Sequence, residues 1–142
     1  MQTIDSFMGD FRFLSNFYVD EEHTVSVEHK YQAAKATNLV DYLKIMQSPL
    51  PRDAKRLSKT IAIRPDWNDI RLIIMEQCLI EKFSNSGLAL RLVGTNDATL
   101  IEGNNWGDNF WGVCDGVGKN QLGCLLMKIR DRFITNKFMV EY

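Results

Sequence analysis

No stretch of this sequence approaches the roughly 20 consecutive apolar residues that a membrane-spanning helix needs. Its beginning, MQTIDSFMGDFRF, has no basic segment followed by an apolar one, so no signal peptide is expected. An excess of charge is missing too: 17 Lys and Arg face 18 Asp and Glu, for a formal net charge of −1. That excludes a general polyanion binder, because neutralising many phosphates takes a surplus of cations, and leaves only a local basic patch open. Histidine is scarce. His23 and His29 are the two present, and neither has a Cys or His partner at ligand spacing, so no metal is expected. The three cysteines, Cys78, Cys114 and Cys124, are odd in number and lack metal-like spacing. Cys78 and Cys124 fall in helical patterns, where a free thiol behaves as a small buried apolar residue. A reduced, cytoplasmic protein is the expectation, with no membrane association. No repeat, low-complexity tract or Gly/Pro/Ser-rich linker divides the chain, which predicts a single domain over residues 1–142.

What is present is the composition of an ordinary globular protein, 45% hydrophobic and 11% aromatic. The first 27 residues alternate and are rich in aromatics (Phe11, Phe13, Phe17, Tyr18), which predicts short strands joined by a turn around Asp20–Glu22. Ser26 is placed to cap a helix running to about Leu39. Pro49 and Pro51 break the chain, and a short basic helix follows over about Arg52–Ser58. The strongest helical pattern spans about Asn68–Phe83, with Ile70, Ile73, Ile74, Cys78 and Ile80 as its apolar face. A short helix through Leu88–Val93 ends at Gly94, Thr99–Glu102 reads as a strand, and a last helix covers about Asn120–Phe133. The fold class is α+β, mainly helical, with a small β-sheet and one long irregular loop.

That loop, GNNWGDNFWGVCDGVGKN, sets Trp106 and Trp111 among glycines, asparagines and Asp108. Long loops without periodicity are usually functional, and tryptophan offers a flat face for a base or sugar. The alternative is that both rings plug the core. The segment GVGKN is not a phosphate loop: Lys119 is followed by Asn120 rather than Ser or Thr, and Val113 stands where the first glycine belongs. Lys119 nevertheless stands where a helix begins, and the unpaired N–H groups expected there suit a small phosphate; otherwise it is a solvated lysine. Glu28 and Lys35 lie seven residues apart, two turns along one helix face with Tyr31 and Gln32. They form either a catalytic pair, or an acid that meets the helix dipole and a surface lysine. In FRFLSNFY (11–18), Ser15 and Asn16 interrupt an aromatic run; if buried they need hydrogen-bond partners, and a polar ligand is one candidate. There is no Gly-x-Ser-x-Gly elbow and no Cys–His pair, which argues against an activated Ser or Cys nucleophile.

Five blocks, FRFLSNFY, SVEHKYQAAKA (26–36), AKRL…IRPDW (54–67), TLIEGNNWGDNFWG (99–112) and GKNQLGCLLMKIR (118–130), occur in the order seen in NADAR-type proteins, the YbiA-like family, and the resemblance covers nearly the whole chain. It implies the YbiA-like fold and an N-glycosidase acting on nucleotide-derived compounds. Two substrate classes go with the family: phosphorylated pyrimidine intermediates of riboflavin biosynthesis, and ADP-ribose attached to guanine. By matching position, the resemblance makes Glu28, Lys35 and Asp108 catalytic candidates. It gives Phe13, Ser15, Asn16, Trp106, Trp111, Lys119 and Asn120 to substrate binding. Where relatives often carry Gly-Arg after the Ala-Lys-Arg-Leu run, this chain has Ser58–Lys59, which keeps the charge but loses the arginine fork, so no phosphate contact is assigned there.

Chemically, a carboxylate beside an anomeric carbon stabilises its oxocarbenium-like centre or orients water. A lysine with a lowered pKa can instead attack that carbon and leave a Schiff base. The expectation is a cofactor-independent hydrolase acting on a small nucleotide-like substrate, or on an ADP-ribosylated base in nucleic acid, with no obligate protein partner. The alternative is a non-catalytic module that binds ADP-ribose or a nucleotide. Balanced charge favours a small substrate, although a flipped base needs few contacts and Arg52, Lys55, Arg56 and Lys59 are available to make them.

Overall fold

The computed structural model describes residues 2–140. The chain forms two compact units, one from Asn16–Lys82 and one from the segments up to Ser15 and from Phe83 onward. Mainly helical, with two short parallel strand pairs, it is an α+β fold.

The Asn16–Lys82 unit holds four helices: α1 (Val27–Ala33), α2 (Leu39–Met46), α3 (Pro51–Leu57) and α4 (Trp67–Lys82). Ser26 caps α1 as expected, its Oγ accepting the His29 N–H at 3.0 Å. The helix stops at Ala33, short of Leu39, because Asn38 starts a separate helix: its Oδ1 accepts the Asp41 N–H at 2.9 Å. Polar Thr37–Asn38 gives the chain a turn where the periodicity predicts a continuous helix. Pro51 opens α3, and the Asp53 carboxylate accepts the Leu50 N–H at 3.1 Å. Helix α1 packs against α2, α3 and α4. The small side chains of Ala33 and Ala54 are fully buried together with Ile45, with Met46, Leu57 and Ile61 packed around them. Helix α4 has the expected length but a different buried face. Trp67, Met75, Cys78 and Leu79 are inside, whereas Ile73 is 58% exposed and Ile80 41%. The apolar pattern runs almost all round this helix, so periodicity did not choose the side.

In the other unit, the aromatic run is not a strand. Gly9–Leu14 forms a 3-10 helix that buries Phe13 and Leu14, after β1 (Thr3–Ile4). Helix α5 (Ser86–Val93) starts two residues earlier than expected, capped by Asn85, and ends at Gly94, where the sequence indicated. Strand β2 (Thr99–Leu100) pairs parallel with β1, and β3 (Gly103–Asn104) pairs parallel with β4 (Val113–Cys114) inside the glycine-rich segment. Helix α6 (Gln121–Val140) packs on α5 and β2, burying Leu122, Leu125, Leu126 and Ile129. A Cβ at Gly123 would come within 3.0 Å of the Leu100 carbonyl oxygen, so this glycine is what lets α6 lie against β2. Cys78 is buried as expected, but Cys124 is exposed on α6; all three cysteines are free thiols. Among the described residues no helix is long and apolar enough to cross a membrane.

Candidate active site

In the Asn16–Lys82 unit, the candidate side chains gather around α1. Glu28 is buried in its first turn, with its N–H donating to the Asn16 carbonyl at 3.0 Å. Gln32, one turn on, donates from Nε2 to Glu28 Oε1 at 2.8 Å. Lys35 lies just past the end of α1, in a turn whose backbone is tied down: the Arg64 N–H donates to the Lys35 carbonyl at 2.9 Å, and Ala36 bridges to Ile63. That tie carries the chain into Trp67 at the start of α4. Tyr31 and Trp67 are both buried, with ring centroids 5.0 Å apart and planes tilted by 57°. The Lys35 ammonium stands 5.7 Å from each centroid, within cation–π range of both.

This environment acts on the lysine. Burial pushes the Lys35 pKa below an ordinary lysine's, the Glu28 carboxylate pushes it back up, and Lys55, Lys59 and Arg71 add to the depression. A half-buried lysine is therefore set between one carboxylate, two aromatic rings and three further cations. Two acceptors there have no donor: Gln32 Oε1 and Asn16 Oδ1 are buried and unpaired, the Asn16 amide nitrogen lying 3.5 Å from Met75 Sδ. His29 is buried behind the site, its ring between Ser26 Oγ at 2.8 Å and the Ser48 carbonyl at 2.9 Å, and so holds α1 to the α2–α3 connection.

The remaining candidates belong to the other unit. Asp108 Oδ1 accepts the N–H groups of Phe110 and Trp111 at 3.1 and 2.9 Å, fixing the turn between β3 and β4. Asn104 clasps the same turn, accepting the Asp108 N–H and donating to the Asp108 carbonyl and to Glu102 Oε2. A side chain at Gly112 would collide with Glu102 and Asn104, which is why the loop has a glycine there. Trp111 is half-buried and stands edge-on to Phe110, centroids 4.8 Å apart, while Trp106 is 61% exposed. An exposed Trp106 does not plug the core. Phe13 is buried beneath the Arg91 guanidinium at 4.3 Å, and Ser15 follows it half-buried, its N–H donating to the Arg12 carbonyl.

At the start of α6 the structure corrects the sequence reading. The N–H groups of Lys119, Asn120, Gln121 and Leu122 are not unpaired: they donate to the carbonyls of Asn109, Gly112, Phe110 and Trp111. A helix start whose donors are consumed this way loses its ready-made anion site. Lys119 is exposed, its Nζ 5.7 Å from the Phe110 ring. Asn120 takes a left-handed backbone, φ 51°, and both ends of its amide are engaged, accepting the Glu102 N–H at 3.0 Å and donating to the Leu100 carbonyl at 2.9 Å.

The sequence singles out Glu28 and Lys35 and offers Lys55 and Lys59 as contacts for a flipped base, but it gives no role to Trp67 or Arg71. It named Tyr31 and Gln32 only as neighbours. Gln32 was legible as the residue one turn after Glu28; Trp67 becomes legible only when the Lys35–Arg64 backbone contact closes. Among the described residues, no group of three or more His, Cys, Asp or Glu is placed to hold a metal ion.

Comparison with known proteins gives the family. The NADAR domain matches residues 6–134. A riboflavin biosynthesis protein of Vibrio vulnificus is 38% identical over 128 residues, covering 84% of this chain but only 35% of that protein. An N-glycosidase of Nostoc punctiforme is 31% identical, covering 80% of this chain and 77% of the relative. The N-glycosidase YbiA of Escherichia coli is also 31% identical, covering 91% of this chain and 84% of its own. The NMR structure of Escherichia coli YbiA superposes with a TM-score of 0.82 at 29% identity, over 97% of this chain and 89% of that one. The chain belongs to the NADAR domain family.

Proposed function

We propose that this protein is a hydrolase acting on N-glycosyl compounds, one that cleaves the C–N bond between ribose and a base in a phosphate-bearing substrate. The observation that carries the reading is Lys35. Burial and three nearby cations push its pKa below the ordinary lysine range against the opposing pull of the buried Glu28 carboxylate, and its ammonium stands 5.7 Å from both the Tyr31 and Trp67 ring centroids. A surface lysine with no chemical task gains nothing from such a setting, whereas a nucleophilic amine needs it. The names of the YbiA and Nostoc relatives point to the same reaction class.

In this reading the neutral Lys35 amine attacks the anomeric carbon. The C–N bond breaks as the base leaves with the bonding electron pair and takes up a proton. Loss of the amine proton and opening of the ribose ring leave a protonated Schiff base. Water then adds to that carbon, and collapse returns the lysine and the free sugar. Glu28 accepts and returns protons at the reacting carbon and stabilises its positive charge. Tyr31 and Trp67 wall the lysine off from water, and Lys55, Lys59 and Arg71 attract the substrate phosphate. Asp108, its Oδ1 already accepting two N–H groups, serves as the scaffold of its loop rather than as a base. The substrate is either guanine-linked ADP-ribose or a phosphorylated aminopyrimidine riboside; the riboflavin biosynthesis name of the Vibrio relative favours the second.

The test is a mass-spectrometric turnover assay with both substrates, the first presented on nucleoside and on single-stranded DNA. Base release by the wild type is expected. Borohydride added during turnover should reduce the Schiff base to a stable adduct on the protein, and Lys35→Ala should prevent it. Release without an adduct replaces the lysine route by direct attack of water. Binding without release makes the protein a nucleotide-binding module instead.

A further inference from the structure

Two helices of the Asn16–Lys82 unit turn large apolar side chains to solvent. On α2, Leu39 is 68% and Val40 76% exposed, with Leu43 exposed beside them and Leu50 just beyond, in the connection to α3. On α4, exposed Ile73, Gln77 and Ile80 recur at i, i+4, i+7 as one outward strip. Scattered exposed apolar residues are ordinary, whereas clusters of them mark contact surfaces. The two strips carry opposite charge. Lys44 and Arg52 are the exposed ions beside the α2 strip, and both acids of that stretch are engaged within it. The Asp41 carboxylate accepts from Asn38 Nδ2 at 3.1 Å, and Asp53 accepts the Leu50 N–H at 3.1 Å and faces Arg56 at 3.5 Å. The α4 strip is bordered by Asp69 and Glu76, and Glu81 closes its end, where it also meets Lys30. The cations of α4 lie on its other side: Lys82 is buried, and Arg71 is among the charges that act on Lys35.

We propose that these strips cover each other between two copies of the chain: the α2 strip of one molecule docks on the α4 strip of a second. Charge selects this pairing. Docking α2 on α2 would bring cations together, and α4 on α4 would bring acids together. Docking α2 on α4 sets Lys44 and Arg52 toward Asp69 and Glu76, with Leu39, Val40 and Leu43 against Ile73 and Ile80. The contact is heterologous, since it joins two different patches. Each strip is only about two helical turns long. The interface therefore belongs to the small, transient class below about 1,200 Å² and forms at high protein concentration.

Sedimentation velocity at rising protein concentration tests this, with a reducing agent present because Cys124 is exposed. The wild type should pass from the 16.4 kDa monomer to at least twice that mass, and added salt should weaken the association. Val40→Glu places an acid on the α2 strip and Ile73→Lys a cation on the α4 strip. Both positions are exposed, so each variant should melt as the wild type does. Each alone should stay monomeric. Mixed together they should associate, because one chain keeps an intact α4 strip and the other an intact α2 strip. Leu39→Glu and Ile80→Lys, on the same two faces, should repeat the pattern. A wild type that remains monomeric up to about 1 mM, the limit of weak association, overturns the proposal. So does a mixture that stays monomeric. Self-association that survives Ile73→Lys but not Val40→Glu replaces it by α2 on α2, and the reverse result by α4 on α4. Association that neither variant disturbs places the contact on another surface and rejects both strips.

Discussion

Replacing Gly123 by alanine tests the packing that fixes the loop and α6 together. On helix propensity alone, Gly→Ala in a helix interior gains about 1 kcal/mol. The structure reverses that sign. A Cβ at position 123 falls within 3.0 Å of the Leu100 carbonyl oxygen and of both ends of the Asn120 side-chain amide. Restoring an ordinary carbon–oxygen separation of about 3.3 Å means moving α6 away from β2. Overpacking of this kind costs about 1–3 kcal/mol. The movement also breaks the two bonds by which Asn120 joins Leu100 and Glu102, each worth about 1 kcal/mol. Net of the propensity gain, the variant should lose about 2–4 kcal/mol. For a chain of this size that lowers the melting temperature by about 8–16 °C. Thermal unfolding followed by circular dichroism measures it, with Cys124→Ala as the control: the next residue is exposed, so the same helix gains alanine without a clash. A Gly123→Ala protein that melts at or above the wild type would refute the contact between α6 and the Leu100 carbonyl.

Other outcomes follow from the same geometry. Glu28→Gln keeps the acceptor that Gln32 uses, so it should melt within a few degrees of the wild type yet lose at least about 100-fold in base release, a typical general acid–base contribution; near-normal turnover removes Glu28 from the mechanism. Asp108→Asn retains the oxygen that holds the Phe110 and Trp111 N–H groups and should stay active and stable, whereas Asp108→Ala should lose about 1–2 kcal/mol of stability in urea unfolding. An inactive but stable Asp108→Asn would return that carboxylate to the chemistry. Because Lys35 holds its proton less firmly when folded, the unfolded chain binds more protons between the depressed pKa and the ordinary lysine value near 10.4. Lys35 therefore makes stability rise with pH through that window, and Lys35→Met should remove its share of the slope. The same depression means that turnover through a neutral amine falls as pH drops below the Lys35 pKa, and an acid limb set elsewhere would count against the lysine.

Much of this protein was determined by local sequence. Ser26 and Asn85 cap their helices because a short polar side chain can reach back to a free N–H within three residues, a property of the chain itself. Pro51 starts α3 and Gly94 ends α5 for equally local reasons. The ordered motif blocks carried the family, and with it Glu28 and Lys35. Other features were decided only by tertiary structure. The buried side of α4 was one, since Ile73 and Ile80 are as apolar as the Met75 and Leu79 that went inside. The aromatic run at 11–18 alternates like a strand, yet its first part, through Leu14, folds as a 3-10 helix that buries Phe13 and Leu14. The start of α6 looked open to an anion until the backbone of residues 109–112 came round to take its N–H groups. The Lys35 setting is the clearest case. Its pKa depends first on burial that no local pattern encodes, and then, besides Glu28, on Lys55, Lys59 and Arg71, 20 to 36 positions along the chain. Caps and turns are contracts between near neighbours; burial and electrostatic fields are sums over everything the fold brings close, and those only the folded chain can set.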